Sequence, residues 1–232
     1  MKRNGTLSGV VLLSLSLFAT SILAQPATAD DAPKTSLDFC KTAKSVPHNP
    51  IKIPVQKNAF AKLPSAMKLV TNCGNIEIAL ATQLAPVTIS KLVYLAKNKF
   101  FDKSLCHRLT TSGIFVLQCG DPSGGRGIIP VGWKMFQDEN LPSAAGINYP
   151  AGTVAMANRG PGTNTFQFFL VYKDSKLPPN YTIWGQVISG LEIVSEIASI
   201  GAYDINPNNK KAYSVGDGIP IQPIEIRRII TS

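Results

Sequence analysis

The chain has 232 residues, 44% of them hydrophobic and 16% charged, and a formal net charge of +9 at pH 7. That length and balance allow one sizeable folded domain or two small ones and exclude a disordered tail. Its Lys and Arg residues are scattered and do not interleave with aromatics along one stripe, so no nucleic-acid partner is expected.

The first residues read MKRNGTLSGVVLLSLSLFATSILAQPATADD. Lys2 and Arg3 lead, an apolar stretch runs from Leu7 to Ala24, and the small residues Ala27-Thr28-Ala29 precede Asp30 and Asp31. Those are the three parts of an export signal. Residues 1–29 are therefore read as a signal peptide. The alternative is a retained membrane anchor through residues 7–24, since about 18 uncharged residues can cross a bilayer. Frequent Ser and Thr and the cleavage pattern favour removal. Either way the folded part is expected outside the cytoplasm, secreted or associated with the cell envelope.

Residues 30–66, rich in Pro, Lys, Ala and Asn, read as an N-terminal extension or linker with Cys40 as its candidate tether. The domain proper is placed at residues 67–232. MKLVT from Met67 and NIEIAL from Asn75 alternate, with a turn at Asn72-Cys73-Gly74, and read as a hairpin. Pro86 opens a helix whose inner face carries Ile89, Leu92, Val93 and Ala96. LCHRLT from Leu105 and IFVLQCG from Ile114 read as two strands. A Gly- and Pro-rich stretch over residues 121–152 shows no periodicity, and a loop that long is usually functional or poorly ordered. GTVAMAN, QFFLVYK, TIWGQVI and IQPIEIRRII follow as strands, with a second helix at LEIVSEIASI facing inward through Leu191, Val194, Ser195 and Ala198. This inventory predicts a mainly β fold: a closed antiparallel barrel of eight strands capped by two helices.

Cys40, Cys73, Cys106 and Cys119 form an even set in a chain read as exported, which suggests two disulfides with three connectivities open, or else buried free thiols. No C-x-x-C pair supports a zinc cage. His48 and His107 are the two histidines, and only His107 lies in the domain, so no metal is expected. There is no G-x-S-x-G turn, GGRG lacks a following Lys-Ser or Lys-Thr, and Gly160-Pro161-Gly162 precedes a strand. Serine-nucleophile, phosphate-loop and dinucleotide chemistry all lack support, and no cofactor is expected.

The run CHRLTTSGIFVLQCGD, from Cys106 to Asp121, is the distinctive one. If its two strands pair, alternation puts Arg108 on the same side as Val116 and Gln118. It does not put Phe115 there. Cys106 and Cys119 then lie on neighbouring strands and make the least strained pair, leaving Cys40 with Cys73. A later run, MANRGPGTNTFQFF, adds Ala157, Asn158 and Gln167 beside two phenylalanines. Amides and apolar side chains around one arginine suit an extended peptide. Taken singly, Phe115, Phe168 and Phe169 read more readily as buried core aromatics, and the arginine as a satisfied core residue.

Together, HR at 107–108, F-x-x-Q-x-GD at 115–121, MANRGPGTNTFQFFLVYKD at 156–174 and LPPNYTIWGQV at 177–187 resemble the cyclophilins, which are peptidyl-prolyl cis-trans isomerases. The resemblance spans about Met67 to Thr231. It implies an eight-stranded barrel with two helices and an active face on one side. It implies Arg108 as the catalytic arginine, with Phe115, Val116, Phe169, Leu177 and Tyr181 around the proline ring. Gln118, Ala157, Asn158 and Gln167 would grip the peptide backbone, and His107 would be structural.

Several positions depart from the family. Two extra residues lie between Arg108 and Phe115. Val116 stands where methionine is common, and Tyr181 where histidine is common. Arg159 and Phe166 replace small residues and are expected beside the groove. Lys176 stands in place of a tryptophan, so weak cyclosporin binding is expected. The implied function is isomerisation of X-Pro bonds in extracytoplasmic proteins during folding, by a monomer acting on proline-containing polypeptides. The alternative is a proline-reading chaperone or peptide-binding module with little turnover.

Overall fold

The computed structural model describes residues 37–56 and 60–232; the apolar segment and cleavage pattern of residues 1–29 lie outside them. Chain order is β1 (Ala66–Thr71), β2 (Gly74–Leu80), α1 (Pro86–Lys97), β3 (Ser104–Leu105), β4 (Arg108–Thr110), β5 (Val116–Cys119), β6 (Thr153–Met156) and β7 (Phe168–Val171). Then come β8 (Ile183–Ser189), α2 (Leu191–Ile200), β9 (Ala202–Ile205), β10 (Ala212–Val215), β11 (Asp217–Pro220) and β12 (Glu225–Thr231). Among the described residues no helix is long and apolar enough to cross a membrane.

The closed eight-stranded barrel is corrected. The strands form one 12-stranded sheet in the order β10-β9-β11-β4-β5-β7-β6-β8-β2-β1-β12-β3, and its two ends are not hydrogen-bonded to each other. All eight expected strands are present, but the one read as LCHRLT breaks at Cys106-His107. On one side of the break β3 pairs with β12 and Cys106 N–H donates to Ile224 O. On the other side His107 N–H donates to Gln118 O and β4 pairs with β5. A switch of partners within two residues joins the sheet's far edge to its middle by covalent chain and leaves the ladder open. The additional strands are β9, β10 and β11, in a stretch whose sequence alternation is too weak to read.

The β1–β2 turn closes where expected, with Gly74 at φ 127, a conformation glycine adopts without strain. In α1, Ile89, Leu92, Val93 and Ala96 are all buried. This helix has Pro at its start but no cap of its own. Glu139, from the long irregular segment, accepts the N–H groups of Val87 (3.1 Å) and Thr88 (2.7 Å) and so satisfies two donors at the helix start. In α2 the buried residues are Val194 and Ile197; Ser195 is exposed, a correction to the face expected from spacing.

The extension is a strap, not a free linker. Leu37 and Ile53 are buried in the main core, and Cys40 is bonded to Cys73 in the β1–β2 turn. The backbone N–H groups of Lys44 (2.6 Å) and Ser45 (2.9 Å) donate to Glu225 Oε2 on β12. Pro54 O accepts from the Tyr94 hydroxyl at 3.0 Å. An extended segment without a ladder must find partners for its polar backbone elsewhere, and these side chains supply them. Both expected disulfides, Cys40–Cys73 and Cys106–Cys119, are formed.

Candidate active site

Residue parity along four neighbouring strands creates the site. Leu109, Leu117, Cys119, Val154, Met156, Phe168 and Leu170 belong to the main core. Their strand neighbours Val116, Ala155, Phe169 and Val171 form a second, smaller apolar cluster on the other face of the sheet. Every residue of β6 and of β7 is therefore buried, because both faces of those strands are covered. Pairing places Arg108 opposite Gln118, Gln118 opposite Phe169, and Phe169 opposite Ala155. Directly opposed residues share a face, so one row carries a guanidinium, an amide and an aromatic ring side by side.

A groove of about 410 Å³ lies over this row. At one part of it Ile114, Val116, Phe169, Leu177 and Tyr181 line an apolar hollow. The Phe169 and Tyr181 rings meet edge to face at 5.5 Å. Arg108 and Gln118 stand beside the hollow, and Ala157, Asn158, Arg159 and Gln167 continue the groove.

The walls are held by the long segment that showed no pattern. Asn148 Nδ2 donates to Leu177 O at 2.8 Å, and Leu177 N–H donates back to Asn148 Oδ1 at 3.0 Å. The Tyr149 hydroxyl donates to Tyr181 O at 3.1 Å and accepts from Tyr181 N–H at 3.0 Å. Burial pushes the Tyr149 hydroxyl up to about 12, so it keeps the proton it donates. Sequence reading missed both residues. Their only signal is an Asn-Tyr pair ahead of Pro150 inside a long loop.

A polar relay runs along the groove. Arg108 Nη1 donates to Gln118 Oε1 at 3.2 Å, Gln118 Nε2 to Gln167 Oε1 at 2.8 Å, and Gln167 Nε2 to Asp121 Oδ2 at 2.8 Å. Asp121 is fully buried and also accepts from the N–H groups of Ser123 and Gly127. Each amide is thereby fixed in one orientation. The Asn158 side chain is tied to Asn180 O at 2.7 Å. On its other edge Arg108 donates through Nε and Nη2 to the two oxygens of Asp217, both at 2.7 Å. That pair raises the guanidinium above its ordinary value, so it stays charged.

Of the expected residues, Arg108, Val116, Gln118, Ala157, Asn158, Gln167, Phe169, Leu177 and Tyr181 are brought together. Phe115 is not. Its ring lies against Tyr172 at 5.9 Å and under Lys173 Nζ at 4.6 Å, in a separate shallow hollow near α2. Val116 and Gln118 of β5 are on the groove side, and Ile114, in the bend before β5, lines the groove where Phe115 was expected. Phe166 is also outside the groove: it is fully buried, its ring 5.0 Å from that of Phe100. Arg159 does line the groove and makes no ion pair among the described residues. His107 packs over Gly125, where a Cβ would stand 2.8 Å from its ring. Burial lowers its titration below the ordinary value, which suits a neutral structural ring. Among the described residues no cluster of His, Cys, Asp or Glu could hold a metal ion.

The site is an apolar hollow beside a fixed arginine, with polarised amides extending from it. The model of the cyclophilin type peptidyl-prolyl cis-trans isomerase/CLD family matches residues 66–229, and the chain belongs to that family.

It is 41% identical over 178 residues to the probable peptidyl-prolyl cis-trans isomerase B of Mycobacterium tuberculosis (strain ATCC 25618 / H37Rv), covering 70% of this chain and 57% of the relative. With human peptidyl-prolyl cis-trans isomerase-like 3 it shares 34% over 163 residues, covering 69% of this chain and 95% of the relative. The chain spans little more than half the length of the mycobacterial relatives it matches. A cyclophilin type isomerase of Cryptosporidium parvum, solved by crystallography, superposes with a TM-score of 0.55 at 24% identity, covering 73% of this chain and 98% of the other. That likeness speaks for the fold. The Cryptosporidium parvum protein was also solved in the presence of the dipeptide Ala-Pro.

Proposed function

We propose that this chain accelerates cis-trans rotation about X-Pro bonds of extracytoplasmic polypeptides and so assists their folding. The observation that carries this is the charged guanidinium of Arg108 held beside a hollow of Ile114, Val116, Phe169, Leu177 and Tyr181. The X-Pro amide is stiffened by resonance, with a barrier of roughly 18–20 kcal/mol, and isomerises over tens to hundreds of seconds unaided. At the twisted midpoint conjugation is lost and the proline nitrogen becomes a lone-pair acceptor. A guanidinium aimed at that nitrogen gains a partner only there, which lowers the barrier without tightening the ground state. The hollow holds the proline ring while the preceding carbonyl swings. Gln118 and the Asn158 main chain hold the rest of the peptide. No bond is broken and no proton moves, so base, nucleophile and cofactor are unnecessary.

The Ala-Pro dipeptide used with the Cryptosporidium parvum relative is the simplest ligand of this class. Two disulfides suit an oxidising compartment outside the cytoplasm. The test is Arg108→Ala in a coupled X-Pro peptide assay. The expected loss is about 10²-fold in kcat/KM, close to 2.7 kcal/mol at about 1.36 kcal/mol per tenfold. A variant that folds equally well and keeps activity within about threefold would remove Arg108 from the reaction. Cyclosporin should bind weakly, because exposed Lys176 offers no aromatic face; inhibition at about micromolar or below would contradict this.

A further inference from the structure

Two groups hold Arg108, and only one of them belongs to the site as the sequence describes it. Gln118 is its cross-strand neighbour. Asp217 is 109 positions away in sequence, on an arm formed by β9, β10 and β11 that no motif announced.

The arm is built to bring Asp217 to this place. β11 is shared between two partners: Asp217 and Gly218 pair with Thr110 and Leu109 of β4, while Ile219 and Pro220 pair with Tyr203 and Ala202 of β9. Thr111 N–H donates to Gly216 O at 2.8 Å and extends the contact by one residue. Glycines flank Asp217 on both sides. A Cβ on Gly218 would stand 2.4 Å from Tyr203 O, and one on Gly216 would stand 2.9 Å from the Ser112 side chain. Those contacts are possible only where no side chain intervenes: Gly218 lets β11 lie close against β9 of the same arm, and Gly216 lets the arm approach the Ser112 loop that follows β4.

The result is a planar, bidentate pair. Asp217 Oδ1 accepts Nε–H and Oδ2 accepts Nη2–H, each at 2.7 Å. A forked carboxylate–guanidinium contact fixes the plane and rotation of the group as well as its position. Gln118 Oε1 accepts from Nη1 at 3.2 Å. Three of the five N–H bonds are thereby committed. One N–H on Nη1 and one on Nη2 remain.

We infer that Asp217 is a positioning residue for Arg108: the arm's carboxylate holds the guanidinium in the one orientation that leaves its free N–H edge for the proline nitrogen of a twisted X-Pro bond. This rests on the reading of Arg108 as the group that meets that nitrogen. An arginine side chain released from the pair would sample several rotamers, and the reaction would then bear the cost of ordering it. Both side chains of the pair are part-exposed, at 39% and 56%, so salt weakens the hold.

The experiment uses the full chain carrying Asp217→Ala, Asp217→Glu or Arg108→Ala, and the double variant Arg108→Ala/Asp217→Ala. Kinetics are read on one X-Pro peptide at about 0.05 M and about 1 M salt. Asp217→Ala should lower kcat by about tenfold with KM changed by less than about twofold. Asp217→Glu should recover part of that loss. High salt should slow the parent and leave Asp217→Ala unaffected. The double variant should be no slower than Arg108→Ala, because a residue acting only through Arg108 has nothing left to position.

A loss of kcat that adds fully to that of Arg108→Ala would overturn the inference, since Asp217 would then act independently. An unchanged kcat would overturn it, as would an increase, which would make the pair a restraint. A KM effect alone would also overturn it by making Asp217 a binding group. If Asp217→Ala does not fold, Asp217→Asn decides: an amide can accept at one edge only, and kcat must still fall. A fully active Arg108→Ala would sink the underlying reading itself, whereas an inactive Arg108→Ala beside a normal Asp217→Ala would sink only this inference.

Discussion

Ile114 and Phe115 are neighbours in the chain that face different environments: Ile114, in the bend before β5, lines the groove, while Phe115 packs on Tyr172. Groove-facing Val116 and Gln118 are followed backwards by Ile114, not by Phe115. The family pattern drew attention to the phenylalanine, while the simple alternation argument already turned it away. The two arguments separate by mutation. Ile114→Ala should lower kcat/KM by about tenfold, since an apolar pocket that loses methylenes discriminates by roughly 1–3 kcal/mol each at most. Phe115→Ala should leave kcat/KM within about twofold in the same assay and cost about 1 kcal/mol of stability, through lost contact with Tyr172 and Lys173. Reversal of the two activities would return Phe115 to the site.

At the scale of elements, the unit that matters is the short hairpin of β4 and β5. It offers only two paired positions, Arg108 with Gln118 and Leu109 with Leu117, too little to hold its own register. Three outside ties compensate. Cys106–Cys119 closes the end away from the loop with a sequence separation of 13. β7 pairs with β5 along four residues, and β11 covers the other side of β4. Closing a loop of this size by a disulfide stabilises by about 3 kcal/mol in the chain-entropy account.

Replacing both Cys106 and Cys119 by Ser should therefore lower unfolding free energy by about 2–4 kcal/mol in a denaturant titration. It should also reduce kcat below the parent's at temperatures where the variant remains folded, because Arg108 and Gln118 sit within two residues of the staple. An unchanged kcat would mean that β7 and β11 suffice to hold the register. The break at Cys106-His107 belongs to the same unit. It sends β3 to β12 and β4 to β5, so the strand carrying the arginine takes its position from the middle of the sheet rather than from its edge.

Taken as a whole molecule, the domain is wrapped by its own N-terminal strap, whose clasp is a carboxylate. Glu225 is buried on β12, and burial alone would raise it. The backbone N–H groups of Ser45 and Lys44, with the Ser45 side chain and the Arg227 charge, together outweigh that effect, and the group lies below its ordinary value of 4.5. A carboxyl that is lower in the folded than in the unfolded chain stabilises fully above the unfolded value and loses this contribution as pH falls through the folded one. The thermal midpoint should therefore drop as pH is lowered beneath about 4.5, with the strap becoming sensitive to protease in the same range. Glu225→Gln should flatten that part of the profile and, at neutral pH, cost about 1–3 kcal/mol for the backbone donors it leaves poorly matched. A profile for Glu225→Gln identical to the parent's would remove the clasp from the account.

The same strap borders the groove. Its Pro47 covers Gly124, at 2.7 Å from where a Cβ would be, and its His48 N–H donates to Pro122 O at 2.9 Å. The loop beneath carries Gly125 and Gly127, which line the groove.

Local order was legible in the amino-acid sequence because it has a period. Alternation located the eight long-range strands, helical spacing found the buried face of α1, and motif order pointed to the family, to Arg108 and to its partner Gln118. The hairpin reading made Cys106 with Cys119 the least strained pair while three connectivities stayed open, and the structure contains that bond. What only the tertiary structure decided lies between residues with no periodic relation. Asp217 meets Arg108 across 109 positions, Glu225 meets Lys44 across 181, and Asn148 and Tyr149 meet the pocket walls from inside an irregular loop. The same holds for the open ladder, which turns on a change of partners at Cys106-His107 rather than on any change in strand-forming pattern. Side-chain direction follows from local geometry, whereas the identity of a distant hydrogen-bond partner is settled only when the packed chain brings the two together.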